Sequence, residues 1–187
     1  MAAWLIRHGV ERWVTISLAL RLIVGILALW LTWVAMYQAK VMGVNFLLSV
    51  LFLVWMADVA AYFAGRAFGR LKLAPAISPG KSWEGVWGGM VGVLLMSCVW
   101  IWVDTQYAVD GLSLYSRLYS RGAPFLVLAV LFLTMMSVAG DLVESLVKRS
   151  AGMKDSSQLL PGHGGVLDRV DALLPALPLA MMLAQSV

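Results

Sequence analysis

The chain is 187 residues long with a formal net charge of +4; 61% of its residues are hydrophobic and only 13% are charged. A mean hydropathy of +0.86 excludes an ordinary soluble domain or a disordered chain and points to a polytopic membrane protein. Nine tryptophans suit interfacial anchors, and the single cysteine, Cys98, excludes a disulfide framework.

Met1 to Arg12 is mildly amphipathic, carries Arg7 and Arg12, and lacks the separate apolar core and cleavage site of a signal peptide. Trp13 to Tyr37 is a run of 25 mostly apolar residues. A bilayer needs roughly 20, so a first spanning helix is expected there. Arg21 lies inside it, and either snorkels to the near surface or pairs with an acid in the bundle. Val44 to Phe63 reads as the second span, with Asp58 near its far end. An acid at that depth is costly unless paired, protonated or facing water, so Asp58 is either an interfacial residue or a functional one.

Ala64 to Gly85 reads as a polar connection holding Arg66, Arg70, Lys72 and Lys81, broken by Pro75, Pro79 and glycines. Gly80-Lys81-Ser82 is not the end of a P-loop, because Pro75 stands where its first glycine is needed. A basic loop of this kind suits phosphate or anionic headgroups. Val86 to Val103 is the third span, with Gly88, Gly89 and Gly92 available for close helix packing. Asp104 to Arg121 is a polar loop in which nothing points to chemistry. Gly122 to Gly140 is the fourth span, and Asp171 to Val187 a short fifth, kinked or partly interfacial, with Pro175 and Pro178 near its start.

Charge is concentrated between the last two spans. If the fourth helix continues, Asp141, Glu144, Ser145 and Lys148 fall on one face, at i, i+3, i+4 and i+7. Asp168 and Asp171, three apart, share a face in the same way. Between these carboxylate pairs lie Lys148, Arg149 and Lys154 and the turn Leu160-Pro161-Gly162-His163-Gly164-Gly165. Paired carboxylates suit a hard cation such as Mg2+; the cationic side chains and free glycine N–H groups suit phosphate. The expected fold is all-α: a polytopic transmembrane bundle of about five spans, near residues 13–37, 44–63, 86–103, 122–140 and 171–187, forming one integral-membrane domain. Ten Lys and Arg fall in the N-terminal segment, 64–85 and 141–171, against three in the other connections. The positive-inside rule then puts segments 64–85 and 141–171 in the cytoplasm.

Ser145 to Asp171 resembles the C-terminal motif of the phosphatidate cytidylyltransferases, the CDP-diacylglycerol synthases. That motif reads S-x-x-K-R-x4-K-D, then an apolar-Pro-x-H-G-G step, then apolar-x-D-R-x-D. Ser145, Lys148, Arg149, Lys154, Asp155, Pro161, His163, Gly164, Gly165, Asp168, Arg169 and Asp171 stand in register with it. Ala57 to Gly85 resembles a second stretch of the family, with Asp58 at the matching position ahead of Ala-Tyr-Phe-x-Gly-Arg. Family members usually carry further N-terminal membrane helices, so a shortened member is expected.

The resemblance implies transfer of a cytidylyl group from CTP to phosphatidate, giving CDP-diacylglycerol and pyrophosphate. It implies Asp141, Asp168 and Lys148 as catalytic residues. Asp141 and Asp168 would hold Mg2+, with Glu144 and Asp171 as further ligands and room for a second cation. Lys81, Arg149, Lys154, His163, Gly164, Gly165 and Asp58 would bind substrate. Lys148→Ala and Lys154→Ala are expected to weaken CTP use while leaving the fold intact. The implied partners are CTP, phosphatidate and the bilayer, with a homodimer among the expected assemblies and no nucleic acid. The implied location is a bacterial inner membrane with the site facing the cytoplasm. Two alternatives stay open: a CTP-dependent lipid-alcohol kinase, which releases CDP rather than pyrophosphate, and an inactive membrane paralogue or fragment.

Overall fold

The structure is a computed structural model that describes residues 13, 16–107, 109–157 and 165–185. Arg7, Arg12, His163 and Gly164 lie outside the described residues. Helix α1 runs from Leu18 to Met42, and Ser17 caps it by accepting the Leu20 N–H at 3.4 Å. Gly43 then turns the chain at φ +132°, a conformation that L side chains rarely adopt, and α2 (Val44–Phe68) begins at once. The N-terminus of α2 is capped from elsewhere. Asp110 accepts the N–H groups of Val44 at 2.6 Å and Asn45 at 3.0 Å.

Helix α2 continues five residues beyond its expected end at Phe63, because the lone Gly65 is tolerated inside a helix and the chain turns only at Gly69. The rest of the expected loop contains a small antiparallel hairpin, β1 (Lys72–Ala74) with β2 (Ser78–Ser82). Strands this short, with a proline in the turn and another in β2, leave no periodic trace in a sequence. Helix α3 (Trp83–Gln106) follows directly, capped by Ser82 Oγ accepting the Gly85 N–H at 3.2 Å. The polar stretch after it holds a short helix, α4 (Leu114–Tyr119). Asp104 organises it by accepting from Ser113 N (3.1 Å) and Oγ (2.5 Å), Ser116 Oγ (2.6 Å) and Asn45 Nδ2 (2.9 Å).

Helix α5 (Ala123–Ser150) has Gly122 at φ +107° before it and Pro124 in its first turn. Its 28 residues span about 42 Å at 1.5 Å per residue, well beyond the ~30 Å of a bilayer's hydrocarbon. The surplus lies at the charged C-terminal end. A 3-10 turn (Leu167–Arg169) leads to α6 (Leu173–Gln185). At 13 residues, α6 is shorter than a full span. Its buried face, Leu173, Ala176, Leu177, Ala180, Met181 and Ala184, lies in the bundle core. Pro178 has no N–H to donate to the Leu174 carbonyl; Thr32 Oγ1 donates to it instead, at 3.0 Å, from α1.

Helices α2 and α3 approach each other most closely. A Cβ at Gly92 would meet Ala60 Cβ at 2.5 Å, one at Gly89 the Ala57 carbonyl at 2.9 Å, and one at Gly85 the Ala61 carbonyl at 2.9 Å. Small residues on both partners let the backbones meet in lipid, where apolar side chains alone do not drive helices together. Gly92→Leu is therefore expected to cost about 1–3 kcal/mol through overpacking, read as a lower thermal midpoint in detergent. Gly25, where a Cβ would meet nothing within 4 Å, marks the contrast.

The four helices α1, α2, α3 and α5 are long and apolar enough to cross a membrane. They carry exposed Trp30, Trp33, Trp55, Trp87 and Leu128 on their outer faces, as side chains facing lipid do. The protein is an all-α integral membrane protein, as the composition requires.

Candidate active site

The hairpin is what assembles the site. Ala74 and Ile77 of the hairpin and Leu142 of α5 are buried together, with Leu73, Val138 and Leu146 packed around them. Arg149 is exposed and its Nε donates to the Ile77 carbonyl at 3.4 Å. The hairpin is thus fastened to the charged end of α5, and both polar segments lie at one end of the bundle. Lys81, at the base of β2, forms an ion pair with Asp141. Ser145, one turn on, donates its hydroxyl to Asp141 Oδ1 at 3.3 Å.

Two more acids lie in electrostatic reach of this pair. Asp58 of α2, exposed in the isolated chain, interacts with Lys81 and Asp141. Asp171 is 9% exposed and accepts the Ala172 N–H at 2.7 Å. Burial, and then the negative charge of Asp141, push the Asp171 carboxyl up to about 6. Gly140 permits this crowding, since a Cβ there would lie 2.7 Å from the Asp171 carbonyl and 2.8 Å from the Pro175 ring.

A second cluster centres on Lys148. Its Nζ lies 2.5 Å from Glu144 Oε2, one turn back, and 2.5 Å from Asp168 Oδ1. Glu144 is buried, with 6% of its surface exposed. Asp168 also accepts from Ser156 N (3.0 Å), Ser156 Oγ (2.9 Å) and Gly165 N (2.7 Å). Burial alone would raise the Asp168 carboxyl. The Lys148 ammonium and the Ser156 and Gly165 N–H groups outweigh it and hold the carboxyl well below the usual carboxylate range. A folded-state pKa below the unfolded one means that this clamp stabilises the fold above the ordinary carboxylate range. That stability is lost as pH falls through the range.

The helical spacing thus delivers the expected face: Asp141, Glu144, Ser145 and Lys148 all sit on α5 and all take part. Asp141 and Asp168 each have their own lysine, the first sharing its cluster with Asp58 and Asp171, the second with Glu144. Among the described residues no group of three His, Cys, Asp or Glu is arranged to hold a metal ion. Lys154 is exposed at the rim. The Gly165 N–H is engaged by Asp168 instead of standing free for phosphate. Ser156 was invisible in the sequence, where nothing distinguishes it from Ser157.

Beside the second cluster a groove of about 790 Å3 opens between α1, the charged end of α5 and the start of α6. Its walls are mostly apolar, and Glu144, Lys148, Asp155, Asp171 and Arg21 line its polar parts. Ionic side chains and apolar walls thus share one groove.

The profile of the cytidylyltransferase family matches residues 2–187. The chain is 49% identical over 136 residues to a phosphatidate cytidylyltransferase of Haemophilus influenzae, covering 73% of this chain and 44% of that protein. It is 44% identical over 160 residues to one of Pseudomonas aeruginosa, covering 84% of this chain and 55% of the relative. It is 40% identical over 147 residues to one of Staphylococcus epidermidis, with 79% and 52% covered. The chain therefore spans about half the length of these relatives. A match over nearly its whole length, on a helical membrane bundle with acids and lysines gathered at one end, establishes that the chain belongs to the cytidylyltransferase family.

Proposed function

We propose that the protein transfers the cytidylyl group of CTP to phosphatidate, giving CDP-diacylglycerol and pyrophosphate, at a site facing the cytoplasm. The observation that carries this reading is the pair of lysine–carboxylate clusters at the charged end of α5, the second of them beside an apolar groove that Lys148 and Glu144 line. The relatives named phosphatidate cytidylyltransferase support the same substrates.

A phosphatidate oxygen is already a nucleophile, so the site needs no Ser-His-Asp machinery. The new bond joins that oxygen to the α-phosphorus of CTP, and the bond from the α-phosphorus to the oxygen it shares with the β-phosphate breaks, so that pyrophosphate leaves with that oxygen. The obstacle is repulsion between two anions, and cationic side chains remove it. Lys148 is placed between the groove and the clusters and meets the reacting phosphates. Lys81, Arg149 and Lys154 hold the triphosphate, joined by His163 and the backbone of Gly164. Asp58 keeps Lys81 directed inward.

We assign Mg2+ to Asp141 and Asp168, with Glu144 and Asp171 as further donors. The donor set is all oxygen, and the Asp171 carboxyl, raised first by burial and then by the charge of Asp141, lies where a hard cation would offset both costs. When bound, Mg2+ neutralises charge on the phosphate oxygens. Lys81 and Lys148, which pair with these carboxylates, would then be available to the phosphates.

The test is incubation in detergent with CTP labelled in its α-phosphate, phosphatidate and Mg2+. Label in the lipid phase with matching pyrophosphate is expected, and EDTA should abolish both. CDP release in a parallel incubation with a lipid alcohol in place of phosphatidate, with no lipid label in the first, would make the protein a kinase of lipid alcohols instead. For orientation, cysteines replacing Ala76 and Met153, in a Cys98→Ala background, should resist an impermeant thiol reagent on intact cells. One replacing Ser120, exposed at the other end, should react. Labelling of the first two would invert the topology.

A further inference from the structure

Arg21 carries an inference that the motifs do not contain. It sits in the first turn of α1, far in sequence from both matched stretches, and lines the groove opposite Lys148. Its Nε is buried and has no hydrogen-bond partner among the described residues. The groove's other deep cation, Lys148, is held between Glu144 and Asp168. Asp171, another acid of the lining, accepts the Ala172 N–H with one oxygen. No ion pair among the described residues includes Arg21. A buried guanidinium N–H without an acceptor is unfavourable, and no described residue supplies one.

The groove's shape identifies that acceptor's carrier. One and two turns further along α1 come Gly25 and Ala28, facing Val143 and Ala139 of α5. A Cβ at Gly25 would meet nothing within 4 Å, so the floor is open there. Polar at the Arg21 level and apolar beyond it, the groove has the polarity profile of a lipid entering sideways, headgroup towards α5's charged end. We propose that Arg21 anchors the phosphate of an anionic phospholipid with a terminal phosphate, whose acyl chain lies along Gly25 and Ala28. The planar guanidinium fork matches two phosphate oxygens at once, which a lysine ammonium does not. This rests on the reading of phosphatidate as a substrate and adds the residue that selects it.

The test uses the purified chain in detergent, equilibrated with equal amounts of dioleoyl phosphatidate and dioleoyl phosphatidylcholine, and native mass spectrometry of the retained lipid. The wild type should favour phosphatidate. Arg21→Gln should lower the phosphatidate-to-phosphatidylcholine ratio about tenfold, the loss of one charge-assisted contact, with helicity by circular dichroism unchanged. Gly25→Leu, which fills the floor and favours the helix, should reduce retention of both lipids together. An unchanged ratio in Arg21→Gln overturns the role of Arg21 and leaves the substrate reading standing. Equal retention of both lipids by the wild type means boundary lipid only, and overturns the substrate reading as well. Should Arg21→Gln lose helicity, Arg21→Lys decides in its place: it keeps the charge but not the fork, and a ratio equal to the wild type's overturns the proposal.

Discussion

Asp168→Asn is expected to lower turnover at least about 100-fold, from several kcal/mol of lost transition-state stabilisation. The substitution preserves shape and removes one charge. In the ligand-free chain Asp168 draws in Lys148, Ser156 and Gly165 together. An asparagine retains one acceptor oxygen for these donors, and its amide group faces a donor wherever the second carboxylate oxygen accepted. The variant therefore also loosens the closure between Ser156 and Gly165. Two readouts separate that from a role in metal binding. A loosened closure lowers the thermal midpoint and leaves the Mg2+ dependence of the residual activity unchanged. Loss of a metal donor raises the Mg2+ concentration needed for half-maximal rate. Full turnover by Asp168→Asn would remove Asp168 from the metal assignment.

Lys148→Met is expected to abolish activity and, unlike the sequence-based expectation, to destabilise the fold. Glu144 is 5% exposed in its side chain, and Lys148 is its ion-pair partner at 2.5 Å. Removing one member of a buried pair leaves an uncompensated charge and costs about 3–5 kcal/mol. The double variant Lys148→Met with Glu144→Gln removes both charges. It should regain most of the lost thermal midpoint and none of the activity. Recovery of turnover in the double variant would reduce Lys148 to a counter-ion for Glu144. Lys154, exposed at the rim, has no such structural debt. Lys154→Ala should keep wild-type stability and raise the CTP concentration required, with a charge-assisted contact of about 1.5–3 kcal/mol as the upper limit.

The long helices and the face of α5 were legible in one dimension, because they rest on local periodicity. Hydropathy marked five apolar runs, four of which form helices long and apolar enough to cross a bilayer, and spacings of three and four put Asp141, Glu144, Ser145 and Lys148 on one side of a helix. The motif positions needed only residue types at fixed offsets. Helix ends were less legible: α2 and α3 each run beyond their expected limits, because apolar and small residues at a membrane's edge propagate a helix as readily as those within it.

Partnership was not legible at all, because it depends on contacts between residues distant in the chain. Lys81 meets Asp141 across 60 positions only because Ala74 and Ile77 of an unforeseen hairpin pack on Leu142. Asp141 and Asp168 read as one pair in the sequence, yet the chain returning through Ser156 and Gly165 brings Asp168 to Lys148, while the close approach at Gly140 brings Asp171 to Asp141. The orphaned carbonyl that Pro178 leaves is met by Thr32, from the far end of the chain. Arg21 shows the same division. Its charge inside an apolar run was evident from the residues, but its buried Nε, without a hydrogen-bond partner among the described residues and in a groove shared with Lys148, exists only once α1, α5 and α6 have packed.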